Sequence, residues 1–193
     1  MDIQYSIEFF SNWHCGSGLA AGADVDALVV KDGNGLPYVP GRTVKGLLRE
    51  ATEELKAYES DKYKTLIDKI FGKEIVMEEN SMRTGEAFFG NATFEKAAAE
   101  KIQKGGLAAY LYQTFSSTAI DEKTGIAEYH SLRRIETVIP CTLVGEIRNV
   151  PEDGVELLRK AMQMVKRMGT GRNRGYGRCI IKSDGKPVNT EGK

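Results

Sequence analysis

The tightest constraint on the fold is the C-terminal succession 138–183, which reads as strand, helix, loop and strand with little chain to spare. Across 138–150, Cys141, Leu143, Gly145 and Ile147 alternate with Thr142, Val144 and Glu146, the pattern of a strand with one buried face. Pro151 stands where a helix begins, and Glu152, Asp153 and Glu156 suit the positive end of a helix running to Met168. A glycine-rich loop follows, and 177–183 closes as a strand. The N-terminal half has a matching order. Ile3, Tyr5, Ile7 and Phe9 alternate with Gln4, Ser6 and Glu8, so the chain opens as a half-buried strand. Residues 16–24 read as a glycine- and alanine-rich loop, 27–30 as a short strand and 31–37 as a turn. Pro40-Gly41 leads into a helix from Arg42 to Tyr58, where Val44, Leu47, Leu48, Ala51 and Leu55 form one apolar stripe. Residues 63–71 add helix, 86–94 a strand, 94–103 a short helix and 107–118 a strand pair or irregular piece.

This order predicts an α+β fold, a ferredoxin-like βαββαβ core interrupted between its halves. The expected organisation is a single domain over 1–183 with an insertion at about 73–135, then a polar tail at 184–193. Such a core sets helices on one face of an antiparallel sheet and leaves the other open, a common platform for RNA.

Composition narrows the function. No apolar run approaches a membrane span, and Met1-Asp-Ile-Gln-Tyr5 lacks a signal-peptide pattern. Cys15, Cys141 and Cys179 are far apart and form no CxxC pair, which argues against a disulfide framework or a zinc site and for a reducing cytoplasm. Lys and Arg total 27, as do Asp and Glu, so the net charge is zero. The charge is nevertheless segregated: residues 159–182 hold eight basic side chains and no acid, whereas acids collect at 50–61 and 74–79. A local positive field of this kind steers polyanions.

Within that basic segment lies Arg167-Met-Gly-Thr-Gly-Arg-Asn-Arg-Gly-Tyr-Gly-Arg178. Glycine lets successive N–H groups approach an anion closely. Arg167, Arg172, Arg174 and Arg178 supply planar donors for phosphate, and Tyr176 offers a ring on which a base can stack. The alternative is a solvated loop between a helix and a strand. Two histidines add little by themselves: His14 beside a glycine-rich loop has the chemistry of a general base, and His130 has no evident partner.

Several motifs in series carry a family resemblance. They are Trp13-His-Cys-Gly-Ser-Gly18, Val25-Asp26, Val30-Lys-Asp-Gly-Asn-Gly-Leu-Pro-Tyr-Val-Pro-Gly41, Val44-Lys-Gly-Leu-Leu-Arg49, Ile70-Phe-Gly72, Ala119-Ile-Asp-Glu-Lys-Thr-Gly-Ile-Ala127 and the glycine-rich loop. In this order the chain resembles the RAMP superfamily of CRISPR proteins. It is most similar to the Cas-seven group, the backbone subunits of type III effector complexes, with an opening that leans toward a III-D-like member. The resemblance implies a modified RNA-recognition-motif fold, copies of the subunit along a CRISPR RNA, and an inserted hairpin "thumb" that kinks the guide–target duplex. It further implies, as partners, complementary target RNA and other type III effector subunits, and a role in antiviral defence.

Carried onto this chain, the resemblance makes Asp26 the candidate for metal-dependent cleavage of target RNA, with Mg²⁺ or Mn²⁺ as cofactor and Asp24 as a second carboxylate. A carboxylate there can hold the metal or orient the ribose 2′-OH for attack on its own phosphate. The alternative is that both residues cap a turn, and silent members of the family exist. His14 corresponds to a position more often structural or RNA-contacting. Arg42, Lys45 and Arg49 share one helix face, and with Thr43 and the helix N-terminus they are candidate guide-phosphate ligands; the alternative is a solvated basic face. Two departures stand out: Arg42-Thr43 replaces two serines, and Glu122 replaces the arginine of the thumb motif. Ile120 or Leu132 remains as a wedge, unless 119–127 is an ordinary exposed hairpin. Other functions compete. One is a RAMP endoribonuclease that processes precursor CRISPR RNA with His14 as base, disfavoured because such enzymes usually need two ferredoxin-like halves. Another is a non-CRISPR RNA-binding module with no partners, which would lack reason to hold both the thumb-like and Lys-Gly-x-x-Arg motifs. A further alternative is a non-catalytic RNA-binding scaffold.

Overall fold

The computed structural model describes residues 1–19, 25–58, 62–73 and 84–183. Asp24, the acids of 74–79 and the tail 184–193 lie outside them. Strand β1 (Ile3–Phe9) runs down the centre of a four-stranded sheet of order β2-β5-β1-β6, in which every neighbouring pair is antiparallel. The others are β2 (Phe88–Phe89), β5 (Thr142–Arg148) and β6 (Cys179–Ser183). Helices α1 (Gly41–Tyr58) and α2 (Lys62–Phe71) connect β1 to β2, and α4 (Val155–Met164) connects β5 to β6. That is the expected ferredoxin-like core.

Period-two burial builds the sheet: Ile3, Tyr5, Ile7 and Phe9 face inward with Leu143, Ile147, Cys179 and Ile181. Val44, Leu48 and Ala51 of α1 meet Leu157, Leu158, Ala161 and Met162 of α4 over them, all buried. Tyr5 faces Gly145 across the strands, and a Cβ at 145 would lie 2.5 Å from its ring, so a glycine makes room for the aromatic. Gly41 serves a similar end. A side chain there would meet the Phe89 carbonyl at 2.0 Å, and the Gly41 N–H is taken by Asn91 Oδ1 at 2.9 Å. The Pro-Gly pair thus presses the start of α1 against β2.

Between β2 and β5 the chain leaves the core. Helix α3 (Lys96–Lys104) buries no residue, and a 3-10 turn (Ala108–Leu111) leads into β3 (Tyr112–Ser117), which pairs with β4 (Arg133–Val138) as a separate two-stranded sheet. The expected insertion at 73–135 straddles β2, which belongs to the core sheet, and the excursion proper spans α3, β3 and β4. Beyond β3 and β4 a smaller hairpin folds back, with Ile120 bridged to Ala127. Asp121 Oδ1 accepts from Lys123 N–H (3.0 Å), Thr124 N–H (2.7 Å) and Thr124 O–H (2.8 Å). The bonds from Thr124, its backbone N–H foremost, hold the Asp121 carboxyl below its usual range. Ile120, Ile126, Tyr129 and Leu132 are exposed along this arm, which has the form of the expected thumb.

Three local expectations shift. The helix predicted to reach Met168 stops at Met164, because Val165 is extended and Lys166–Met168 turn back to pair with the far side of the glycine loop. Residues 27–30 form isolated bridges, Ala27 to Ile135 and Val29 to Gly16, instead of a strand. The strand predicted over 86–94 is regular only at Phe88–Phe89, and Ala92 and Thr93 make separate bridges.

Candidate nucleic-acid interface

The open face of the sheet is a poor base platform. It presents Gln4, Ser6 and Glu8 from β1, Thr142, Val144 and Glu146 from β5, Ile180 and Lys182 from β6, and one ring, the exposed Phe88 of edge strand β2, which Arg148 covers with its guanidinium 4.8 Å from the ring centre. Its charges are spent on each other: Lys182 Nζ lies 2.7 Å from Glu8 and Arg148 Nε 3.1 Å from Glu146. RNA recognition on such a sheet relies on exposed aromatic rings on its central strands; here the one ring sits on the edge strand and is already engaged by Arg148.

The basic, aromatic surface lies instead around a cleft of about 1020 Å³ between α1, the glycine-rich loop and the root of the thumb. The loop is a built hairpin, not a slack connection. Met168 N–H donates to Gly177 O (2.9 Å) and Cys179 N–H to Lys166 O (2.9 Å), closing its base. At its tip, Arg172–Arg174 make a 3-10 turn flanked by Gly171 and Gly175 at φ 73° and 89°. Gly169 is packed so closely that a Cβ would sit 2.3 Å from the His14 carbonyl. Arg167 donates from Nη1 to Arg172 O at 2.8 Å, bracing the tip from within. Lys166, Arg172 and Arg174 are exposed and, among the described residues, make no ion pair.

Gly177 shows how tightly the hairpin is specified. At φ 69° an added Cβ would lie 1.9 Å from Met168 O. Gly177→Ala is therefore expected to cost about 2–4 kcal/mol, strain plus overlap. Gly175→Ala, at φ 89° with open space around it, should cost only the left-handed strain, about 1–2 kcal/mol. Chemical denaturation of both variants checks the ranking, and equal midpoints would contradict this packing.

Tyr176 is half-buried and meets Phe115 of β3 edge-to-face, with centroids 5.8 Å apart, so loop and thumb share an aromatic contact. Lys166 and Thr170 of the loop segment line the same cleft with Arg133, Ser116 and Ser117, which no local pattern joins to the loop because β3 and β4 are distant from it in the chain. The pair Arg133-Arg134 next to the thumb motif was the available signal. Glu50 and Glu54 of α1 form the opposite wall.

The structure groups some predicted residues and separates others. Arg167, Arg172, Arg174 and Tyr176 line the cleft. Arg178 bridges back to Arg167 at the hairpin base, its side chain exposed outside the cleft lining. Arg42, Lys45 and Arg49 share a stripe of α1, with Thr43 half-buried beside them. By helical spacing that stripe lies beyond the buried Val44, Leu48 and Thr52 from the cleft side. It is a second basic surface, not part of the cleft.

His14 is 3% exposed, and its Nδ1–H donates to Glu136 O at 2.6 Å. Its own carbonyl accepts from Thr170 N–H at 2.8 Å. Of the two roles expected of His14, structural or RNA-contacting, its burial and bonds fit the structural one: the ring is a strut between β4 and the loop. Asp26 is exposed at the thumb root, where Asp26 N–H donates to Arg134 O (2.9 Å) and Arg134 N–H to Asp26 Oδ2 (2.6 Å).

Among the described residues no three His, Cys, Asp or Glu side chains gather as a metal cage. One carboxylate fits only a hydrated cation held mainly by the RNA's own phosphates, the usual arrangement for Mg²⁺. Cysteine chemistry has no footing either. Burial pushes the Cys15 thiol up to about 12 and those of Cys141 and Cys179 up to about 11, so all three stay protonated at neutral pH.

The family model described as the RAMP superfamily matches residues 6–180. Among solved structures, the chain is similar to one in the cryo-electron microscopy structure of the type III-B Cmr-beta complex bound to cognate target RNA. The two are 10% identical with a TM-score of 0.71, over 95% of this chain and 97% of that one. A chain of the apo state of Cmr-beta aligns at 10% identity and a TM-score of 0.67, over 96% and 98%. At these identities the likeness concerns the fold. No curated protein matches the sequence. No helix among the described residues is long and apolar enough to cross a membrane.

Proposed function

The chain belongs to the RAMP superfamily, and from that premise we propose that it is a CRISPR RNA-binding backbone subunit of a type III interference complex in antiviral defence. The observation that carries this reading is the cleft, which joins a basic glycine hairpin to the root of a protruding thumb and lines the junction with Phe115 and Tyr176. Arg172 and Arg174, with Arg133 and Lys166, would hold successive phosphates of the guide, and the two rings would support a base. Sequence would be read by pairing between guide and target, so the cleft needs no base-specific ligands. The stripe of Arg42, Lys45 and Arg49, with Thr43, extends the backbone contact to a second surface. Other type III subunits, copies of this chain along the guide and complementary target RNA are the implied partners, and a reducing cytoplasm the implied compartment.

Asp26 would cleave the paired target at the thumb root. A hydrated Mg²⁺ or Mn²⁺ bound there would neutralise charge on the scissile phosphate. The chain's own contribution is one carboxylate oxygen, held in place because Oδ2 is fixed by Arg134 N–H. Asp24 would be a second carboxylate. Processing of precursor RNA by His14 lacks support, since that ring is buried and engaged.

The test is salt-dependent binding of single-stranded RNA to wild type and to the Arg172→Ala/Arg174→Ala double variant. Two lost phosphate contacts should lower the log–log salt slope by about 1.4, from about 0.7 each, with roughly tenfold weaker binding near physiological salt. An unchanged slope would remove the cleft from the RNA path.

A further inference from the structure

We propose that Glu136 is the positioning residue that fixes Asp26 relative to the thumb, and so sets which phosphate of the target is cut. The inference rests on the reading of Asp26 as the cleavage residue. Residues 25–31 run between residues 15–19 and β4: Ser17 N–H donates to Leu28 O (2.9 Å), Leu28 N–H to Leu19 O (3.0 Å) and Val30 N–H to Cys15 O (2.9 Å). The contacts toward β4 divide into two kinds. At one end, the Asp26–Arg134 pair is exposed, where water competes for the same groups. At the other, Glu136 is only 13% exposed in its side chain and uses both carboxylate oxygens. Its Oε2 accepts from Val29 N–H at 3.0 Å and its Oε1 from Lys31 Nζ at 2.8 Å. Its backbone N–H donates to Ala27 O at 3.0 Å, and its carbonyl takes the His14 ring at 2.6 Å.

The clamp extends into the other thumb strand. Lys31 Nζ sits 4.0 Å from the centre of the Tyr112 ring, and Tyr112 O–H donates to Gly35 O at 2.6 Å. Burial, then the Glu136 and Asp32 carboxylates, push the Tyr112 phenol up, so it remains a donor at any ordinary pH. The bond to Ala27 O belongs to the single parallel bridge between the arm and β4, Ala27 to Ile135, which is no sheet of its own. Glu136 therefore supplies three of the arm's attachments to β4, two of them through its side chain, from one residue that is itself part of the thumb. A thumb that marks a position on the duplex and a carboxylate that acts beside it must keep a constant separation, and this side chain spans that separation.

The experiment uses the subunit assembled with guide RNA, as wild type, Glu136→Ala and Glu136→Gln. Cuts in end-labelled complementary RNA with Mg²⁺ are mapped to the nucleotide, and amide hydrogen exchange is followed over residues 25–31. Glu136→Ala should spread the cuts over neighbouring phosphates and slow the principal one by up to about 10²-fold, the scale of a small misplacement. RNA affinity should stay within about twofold and Val29 exchange should accelerate, since only the clamp is released. Glu136→Gln keeps an acceptor for Val29 N–H and loses only the charge, so it should fall between; it also decides the matter if the alanine variant does not fold. Cuts at wild-type positions and rates in both variants would overturn the positioning role. Unchanged exchange would show that Glu136 does not hold the arm, with the same consequence. A wild-type complex that makes no cuts would instead remove the cleavage reading itself, and the positioning role with it.

Discussion

Asp26→Ala is expected to slow Mg²⁺-dependent cutting of guide-paired RNA by roughly 10²–10⁴-fold, the usual contribution of one positioned acid–base or ligand group. Guide binding should stay within about twofold, because Asp26 is not among the residues lining the basic cleft. The alanine variant alone would not separate chemistry from scaffolding, since Asp26 Oδ2 also accepts from Arg134 N–H at 2.6 Å. Losing that exposed bond costs about 1 kcal/mol, enough to loosen the arm locally but not to unfold the protein. Asp26→Asn separates the two roles. The amide oxygen still accepts from Arg134 N–H, yet it carries no charge for a metal and cannot take the proton of the attacking 2′-OH. Cleavage lost in both variants places the carboxylate in the reaction. Cleavage lost in the alanine variant and kept in the asparagine variant would make Asp26 a capping residue and assign the cleavage chemistry to another group.

Trp13→Ala should be the most destabilising single change, about 3–5 kcal/mol, as for other buried large-to-small replacements. Trp13 is 0% exposed and stacks on Phe9 with centroids 4.5 Å apart and planes 11° from parallel. Its backbone pairs with Val138 in both directions, at 3.0 and 2.8 Å, so the residue ties the core sheet to the end of β4. The effect should reach RNA as well. Asn12 O accepts from Gly177 N–H and His14 O from Thr170 N–H, each at 2.8 Å, so the segment around Trp13 also carries the glycine hairpin. Denaturant unfolding should show a lower midpoint, and RNA binding should weaken even where the variant remains folded. A loss of stability under about 1 kcal/mol would mean that the ring is not packed as described.

The Trp-His-Cys-Gly-Ser-Gly segment illustrates how far local pattern reaches. Its composition marks it as special, and His14 invites a catalytic reading because imidazole beside glycines is a familiar site. The fold gives it another use. It runs between the thumb strand and the glycine hairpin, donating from the His14 ring on one side and accepting through its carbonyls on the other. None of those partners is near in sequence, so no spacing rule could reveal the bonds. Similarly, Arg42, Lys45 and Arg49 were legible as one helical stripe, yet which surface they join depends on how α1 is rolled against α4, a matter of packing.

Periodicity was enough for the core. The alternation at 3–9 and 141–147, the apolar stripe of α1 and the proline and acids before α4 are short-range patterns with a direct cause in burial. They carry strand, helix and order, and from order follows the ferredoxin-like topology. The basic, glycine-spaced loop was legible too, since left-handed turns and close backbone approach require glycine whatever surrounds them. The cleft was not. Arg133, Phe115 and Tyr176 meet there only because β3 and β4 leave the core together and return beside a loop some forty residues further on. Contacts of that range come from the docking of whole elements, whose free energy lies in the packed interface and leaves no periodic trace along the chain.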